Sequence, residues 1–323
     1  MNPLRIAFLG AGPLALPVFQ GLCASTSHHV VALITQPTKT GKGHHQHENP
    51  LIALANERGI PVHQPVKIRD AEHAGWLKGL DLDLSVVAAY GQILSREVLD
   101  FPRLGTINVH ASLLPKYRGA TPIHAAVLAG DEEAGVTIIR LVPKLDAGPM
   151  LGVDRLILGP QETTGSLERR LAELAVPLTL RVIDQIAAGT CEEVTQDESL
   201  VTHVGKLTKQ DGLIDWRKSA VEIERHIRGM QPWPGPFTLL HSAGKPPLRM
   251  ALLQAVAHAG DPIDPASPDL GQLHFEGQRL TAQTGNGLLE IITLQPEGKR
   301  AMSAIDYLRG RPLQPGDRLG NPT

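Results

Sequence analysis

Aromatic residues, cysteines and long apolar runs are all scarce in this sequence. Aromatic residues make up 3% of the chain, so a core has to be built mainly from Leu, Val, Ile and Ala. Cys23 and Cys191 are too far apart to form a zinc-ligand spacing or a disulfide framework. No uninterrupted apolar run approaches the roughly 20 residues that a membrane span needs. We therefore expect free thiols in a reducing compartment and a cytoplasmic protein with no membrane partner.

The sequence also lacks an excess of positive charge. Its formal net charge is −2 at pH 7, which excludes a surface coated in positive charge for bulk DNA binding. A nucleic-acid partner is still compatible with this charge, because a local basic patch is sufficient. The length of 323 residues, at roughly 100–200 residues per domain, indicates two domains.

Short apolar runs alternate with helical segments in the first half of the chain. The apolar runs at 4–9, 29–35 and 84–89 predict strands, and the segment 105–110 predicts another. This alternation is typical of a parallel α/β sheet with a Rossmann-like order. The apolar start is broken by Gly10, Gly12 and Pro13, which favours a first strand and turn over a signal peptide.

The sequence pattern changes after a long amphipathic helix predicted at 166–188. Short β-like runs separated by Gly, Pro and Asp then predict a small β-barrel. We therefore expect a first domain at 1–189, a polar linker at 190–207 and a second domain at 208–323.

A dinucleotide fingerprint is present but incomplete. Gly10-x-Gly12-x-x-Ala15 follows the first strand, as in nicotinamide-dependent enzymes. No Asp or Glu occurs before Glu48 to bind a ribose hydroxyl, and Pro13 removes a backbone N–H from the turn. An oxidoreductase is thus a weaker alternative, and the motif can instead be a tight turn that cradles another ligand.

The segment around 108–110 carries groups suited to carbonyl chemistry. Residues two apart on a strand face the same side, so Asn108 and His110 project together. An amide and an imidazole can stabilise the oxyanion that forms when a carbonyl is attacked, and Asp146 follows the next strand. Without further information, an Asn-x-His pair can be structural and an Asp before Gly is often a turn residue.

The motif as a whole strongly resembles the folate-dependent formyltransferase family. Its residues run Asn108-x-His110-x-Ser112-Leu113-Leu114-Pro115, then Arg118-Gly119-Ala120-x-Pro122-Ile123, then Asp146-x-Gly148. The resemblance implies a catalytic trio of Asn108, His110 and Asp146, with 10-formyltetrahydrofolate as formyl donor and no metal. It also implies a folate site formed by Ser112, Leu113, Leu114, Pro115, Tyr90, Gly91, Gln92, Ile93, Leu94 and Lys144.

The resemblance extends over nearly the full chain to the branch of this family that acts on methionyl-tRNA. The matches include Thr35-Gln36-Pro37, Ile214-Asp215-Trp216 and Pro232-Trp233-Pro234. The branch implies initiator methionyl-tRNA as acceptor and an OB-like second domain that helps to hold it. Expected tRNA contacts are Lys39, Lys42, Lys206 and Lys209, and we expect a monomer.

Several alternatives stay open at this point. The acceptor can be an amino sugar or another small amine, and a non-catalytic RNA-binding protein can keep a decayed folate pocket. The histidine-rich segment at 44–47 departs from the basic loop of relatives. It can be a flexible polar loop or a metal site, although no acidic or Cys partner has ligand spacing nearby.

Overall fold

The computed structural model describes residues 3–37 and 49–320, which form two compact units. The first unit comprises Met1–Ile123, Glu133–Ile157 and Leu167–Gly205. The second comprises His124–Glu132, Leu158–Ser166 and Lys206–Thr323. The second unit therefore includes two short segments that precede the expected linker in the sequence.

The elements up to residue 204 alternate strands with helices. In chain order they are β1 Arg5–Gly10, α1 Gly12–Ala24, β2 His29–Ile34, α2 Pro50–Glu57, β3 Val62–His63, α3 Ala71–Lys78, β4 Leu84–Ala88, α4 Arg96–Asp100, β5 Thr106–His110, β6 Arg118–Gly119, α5 Pro122–Ala129, β7 Glu133–Arg140, β8 Met150–Ile157, α6 Thr164–Ala188 and β9 His203–Val204.

The main sheet of the first unit has the order β3-β2-β1-β4-β5-β7-β8. The strands from β3 to β5 are parallel, whereas β7 and β8 are antiparallel to their neighbours. Every residue of β4 is buried, which explains why this strand is apolar except for Ser85. The carboxyl ends of β4 and β5 lie side by side, with Ala88 opposite Val109, at the edge where open α/β sheets bind ligands.

The remaining elements form an antiparallel sheet with two helices. They are α7 Ala220–Gly229, β10 Phe237–His241, β11 Leu248–Pro262, β12 Leu273–Glu276, β13 Arg279–Gln283, β14 Asn286–Pro296, β15 Met302–Ser303, α8 Ala304–Gly310 and β16 Arg318–Gly320. The strand order is β12-β13-β14-β11-β10-β16, with β15 paired to β14.

A separate apolar core holds this second sheet together. Ile223 and Ile227 lie one turn apart on one face of α7 and pack into it with Leu252 and Leu294. A capping box starts α7, because the Ser219 hydroxyl accepts from a backbone N–H and the Glu222 carboxylate accepts in return. The predicted fold, a Rossmann-like parallel-sheet domain followed by an OB-like barrel domain, is confirmed.

Across the part of the chain that the structure describes, no helix is both long and apolar enough to cross a lipid bilayer.

Candidate active site

The centre of the candidate site is the carboxyl end of β5. His110 is the last residue of this strand and is 5% exposed. Its Nε2 lies 3.0 Å from the carbonyl oxygen of Tyr117. Since a carbonyl can only accept, Nε2 carries the proton in this contact and Nδ1 points elsewhere.

Asp146 lies beside that second nitrogen. Its Oδ2 is 3.7 Å from Nδ1 of His110, and only 7% of Asp146 is exposed. The same oxygen accepts a 2.8 Å hydrogen bond from the backbone N–H of Gly119. The distance to His110 is that of an ion pair rather than a direct hydrogen bond, so the carboxylate can stabilise positive charge on the imidazole as it forms.

Asn108 stands two residues before His110 on β5 and is half-buried. The strand alternation places both side chains on the same face of the sheet. Within residues 3–37 and 49–320, the Asn108 side-chain amide has no hydrogen-bond partner. A half-buried donor that is not used by the fold is available to a substrate.

Gly119 is required by the way its loop closes. Its φ of +122° is disfavoured for L side chains, and a Cβ built there would overlap the carbonyl oxygen of Val204. This close approach comes from the short parallel pairing of β6 with β9, which places Arg118 opposite His203 and Gly119 opposite Val204. The Gly119 N–H therefore reaches Asp146 only in a backbone that glycine permits.

The segment after β5, predicted to line a folate site, is anchored through Thr137 on β7. The Thr137 hydroxyl donates to the Ser112 carbonyl at 2.7 Å and accepts from the Leu114 N–H at 3.2 Å. The Ser112 hydroxyl is itself used, since it donates to the Lys116 carbonyl at 2.7 Å. Ser112 and Leu114 are buried, whereas Leu113 and Pro115 are half-buried.

The second predicted folate loop follows β4. Tyr90 is buried, its hydroxyl has no partner among the described residues, and burial raises its pKa. The Tyr90 carbonyl accepts from Gln36 at 2.6 Å, and the Gln92 side chain bonds the backbone of Pro65 and Ile68. These contacts tie the first part of the loop, from Tyr90 to Gln92, to neighbouring backbone and side chains.

Exposed apolar side chains lie on the loop after β4 and on the loop that carries Lys144 and Asp146. Ile93 is 84% exposed, and Leu145, next to Asp146, is 62% exposed. Gly91 is exposed and Leu94 is half-buried. Large apolar groups left in solvent beside a polar cluster are suited to cover a flat heterocycle.

Lys144, also predicted for the folate site, is engaged with Glu198. The two charges are 2.9 Å apart, and the other oxygen of Glu198 lies 2.9 Å from Nη2 of Arg118. Hydrogen bonds from Arg118 and Lys144 lower the pKa of Glu198 to about 2. Sequence reasoning missed Glu198, because a glutamate in a polar stretch has no local signal for such a contact.

The predicted tRNA-binding lysines fall into two groups. Lys39 and Lys42 lie outside the described residues, as do the histidines at 44–47. Lys206 and Lys209 are exposed in the second unit, where Lys209 starts a short 3₁₀ turn. No cluster of three or more His, Cys, Asp or Glu side chains able to hold a metal occurs in the ranges 3–37 and 49–320.

Comparison with known proteins identifies the family. The formyl transferase model matches residues 4–183, and the model of the formyl transferase C-terminal domain matches residues 206–312. Methionyl-tRNA formyltransferase of Parvibaculum lavamentivorans is 39% identical over 98% of this chain and 100% of its own length. The methionyl-tRNA formyltransferase of Methylococcus capsulatus is 41% identical with the same coverage.

The fold is shared with a solved sugar enzyme. The sugar 3N-formyl transferase WlaRD, crystallised in the presence of dTDP and 5-N-formyl-THF, has a TM-score of 0.65 at 15% identity, covering 93% of this chain and 100% of that one. The two family matches and the two full-length relatives confirm the resemblance predicted from the motifs. The chain belongs to the formyl transferase family.

Proposed function

We propose that this protein transfers the formyl group of 10-formyltetrahydrofolate to the α-amino group of methionyl-initiator tRNA, giving N-formylmethionyl-tRNA for translation initiation. The observation that carries the proposal is the meeting of His110 and Asp146, with the unused amide of Asn108 on the same strand face. The choice of acceptor is supported by full-length relatives at 39% and 41% identity, both named methionyl-tRNA formyltransferases.

The three side chains have distinct roles in the proposed reaction. The neutral amine attacks the formyl carbon, so a C–N bond forms and the formyl oxygen becomes negatively charged. Asn108 donates a hydrogen bond to that oxygen, and His110 stabilises it or carries a proton. Asp146 receives the proton that the attacking amine loses, directly or through a water. The formyl C=O then re-forms as the bond to N10 of the folate breaks, and N10 takes up the proton that Asp146 received, passed on through His110 or a water.

The donor site is proposed to lie between the two loops that carry Ile93 and Leu145. Their exposed apolar side chains fit the faces of a pterin ring, and the anchored backbone of Tyr90–Leu94 offers its N–H and C=O groups to the ring edge. The presence of 5-N-formyl-THF with WlaRD, which has the same fold, supports a reduced folate as donor. Ser112 contributes by holding its segment in place, because its hydroxyl is already donated.

The acceptor is proposed to be held by basic residues from several parts of the chain. Lys39 and Lys42 are assigned to the acceptor end of the tRNA, and Lys206 and Lys209 to its backbone phosphates. Single surface lysines contribute little to affinity, so only their summed field over a groove is expected to matter.

The test compares different acceptors in separate assays. Purified protein is given 10-formyltetrahydrofolate and either charged initiator tRNA, a charged elongator tRNA or a nucleotide-linked amino sugar, and formyl transfer is followed by mass spectrometry. We expect rapid formylation of the initiator methionyl-tRNA. Transfer to the sugar alone would assign a different acceptor, and no transfer to any amine would remove the enzymatic proposal.

A further inference from the structure

A set of hydrogen bonds behind Asp146 joins residues of the sequence motif to Gln196, which lies outside that motif. Gln196 is 5% exposed, and its Oε1 accepts from Nε and Nη2 of Arg118 at 3.0 and 2.9 Å. Its Nε2 donates to the carbonyl oxygens of Asp146 and Gly148 at 2.8 and 2.7 Å. One side-chain amide therefore joins a buried cation to both ends of the Asp146 turn.

The buried guanidinium of Arg118 depends on the Gln196 side chain for two of its hydrogen bonds. Arg118 is fully buried, and its Nη1 has no partner in the described part of the chain. The remaining side-chain partner of Arg118 is Glu198, which lies at the surface. Because a buried guanidinium without partners is costly, the Gln196 oxygen fixes where Arg118 can sit.

The backbone of Asp146 is in a conformation that needs support. Its φ is +48°, in the left-handed region that non-glycine residues seldom adopt. The main-chain oxygen of Asp146 is held by Gln196, while its carboxylate is held by the N–H of Gly119, the residue after Arg118. The side chain and the backbone of Asp146 are thus fixed from the same pair of segments.

We infer that Gln196 is a positioning residue for the formyl transfer, which sets the place of the Asp146 carboxylate beside His110. This inference rests on the proposed function. Glutamine suits the position because one amide can accept from a guanidinium and donate two hydrogen bonds at the same time. A displacement of about 1 Å at a reacting group can cost on the order of 10²-fold in rate.

Two variants separate positioning from simple support of the fold. Gln196→Leu removes every bond of the amide, whereas Gln196→Glu keeps the acceptor for Arg118 and loses the donors to the two carbonyls. We expect both to lower kcat by about 10²-fold, with KM for 10-formyltetrahydrofolate changed less than about threefold. A glutamate variant with wild-type kcat would show that Gln196 only holds Arg118 and would overturn the inference.

A double-variant cycle supplies the decisive measurement. If Gln196 acts through Asp146, Gln196→Leu costs little further rate in an Asp146→Asn background, because interacting sites are not additive. An equal loss in both backgrounds would contradict positioning. If the leucine variant does not fold, the cycle is run with Gln196→Glu, and rates are given per folded molecule from circular dichroism.

The matched control is Gln283→Leu in the barrel. The amide of Gln283 also donates to two carbonyls, those of Thr284 and Gly287, at 3.0 and 3.4 Å. We expect this variant to lose stability without losing kcat. The proposed function is tested separately by the activity of the wild-type protein. If the wild-type protein is active and both Gln196 variants keep its kcat, the positioning role is refuted and the proposed function stands.

Discussion

At the scale of single residues, the side-chain amide of Asn108 is the least constrained part of the proposed machinery. No described group binds it, so its removal disturbs the folded protein little. We expect Asn108→Ala to lower turnover by about 10²–10³-fold, the usual effect of losing one oxyanion donor, with folate affinity nearly unchanged. Single-turnover kinetics measure this, with the exposed Asn56→Ala on α2 as control. Near-normal turnover would exclude Asn108 from the reaction.

The carboxylate of Glu198 offers a residue-scale prediction that needs no substrate. The pKa of Glu198 is about 2 because Arg118 and Lys144 donate hydrogen bonds to the charged form. Because the pKa of Glu198 is lower in the folded state, its ionised carboxylate stabilises the fold at pH values above the ordinary pKa of 4.5. This contribution to stability is lost as the pH falls through about 2. We expect an NMR titration of Glu198 to show this value and Lys144→Met to raise it.

The control for this titration is Lys78→Met, which removes a similar surface pair with Glu97. The pKa of Glu198 should be the same in this variant as in wild type. An ordinary pKa of Glu198 in the wild-type protein would mean that Arg118 and Lys144 do not hold the carboxylate in solution.

At the scale of elements, the short pairing of β6 with β9 decides whether Gly119 can reach Asp146. Gly119→Ala combines an unfavourable φ with overlap on Val204, so the strands should separate and the N–H bond to Asp146 should weaken. We expect a loss of stability of more than about 1 kcal/mol together with lower kcat. Urea unfolding and steady-state kinetics measure both.

Gly59→Ala is the matched control, because Gly59 has a φ of +65° but nothing lies within 4 Å of an added Cβ. Its cost is conformational only, roughly 1–2 kcal/mol in stability, with kcat unchanged. If the two variants behave alike, the β6–β9 contact is not what fixes the Gly119 backbone.

Elements differ in how far the sequence predicts them. β1, β2 and β4 are largely apolar runs bounded by turns, and β5 alternates polar with apolar residues, so their local pattern was sufficient. The motif placed His110 and Asp146 at the same sheet edge. β8, α4 and α8 were not predicted, because β8 has polar residues within it and the two helices are short. The burial of Gln196 is explained only by its tertiary contacts, because its partners Arg118 and Asp146 lie 78 and 50 residues away in the sequence. The polar composition of the stretch around Gln196 instead predicts a solvent-exposed side chain.

At the scale of the whole molecule, the net charge bears on tRNA binding, and the separate hydrophobic cores of the two units bear on folate binding. The formal net charge of −2 gives no general attraction to RNA, so tRNA binding has to come from local basic groups and should weaken steeply with salt. Each compact unit has an apolar core of its own. A ligand that binds only the first unit should therefore stabilise that unit more than the second, because a ligand stabilises the folded structure to which it binds.

Hydrogen exchange with 5-formyltetrahydrofolate as a stable donor analogue tests this division. We expect slower exchange at 89–94, 112–119 and 143–148, because these loops form the proposed folate site, and no change in the strands β10–β16. NADH serves as control for the Gly10-x-Gly12 turn, where the Ala11 N–H already donates to Ala88 at 3.3 Å, and it should protect nothing. Protection by the folate that is confined to the barrel, or protection of residues 10–15 by NADH, would place the ligand elsewhere and reopen the oxidoreductase alternative.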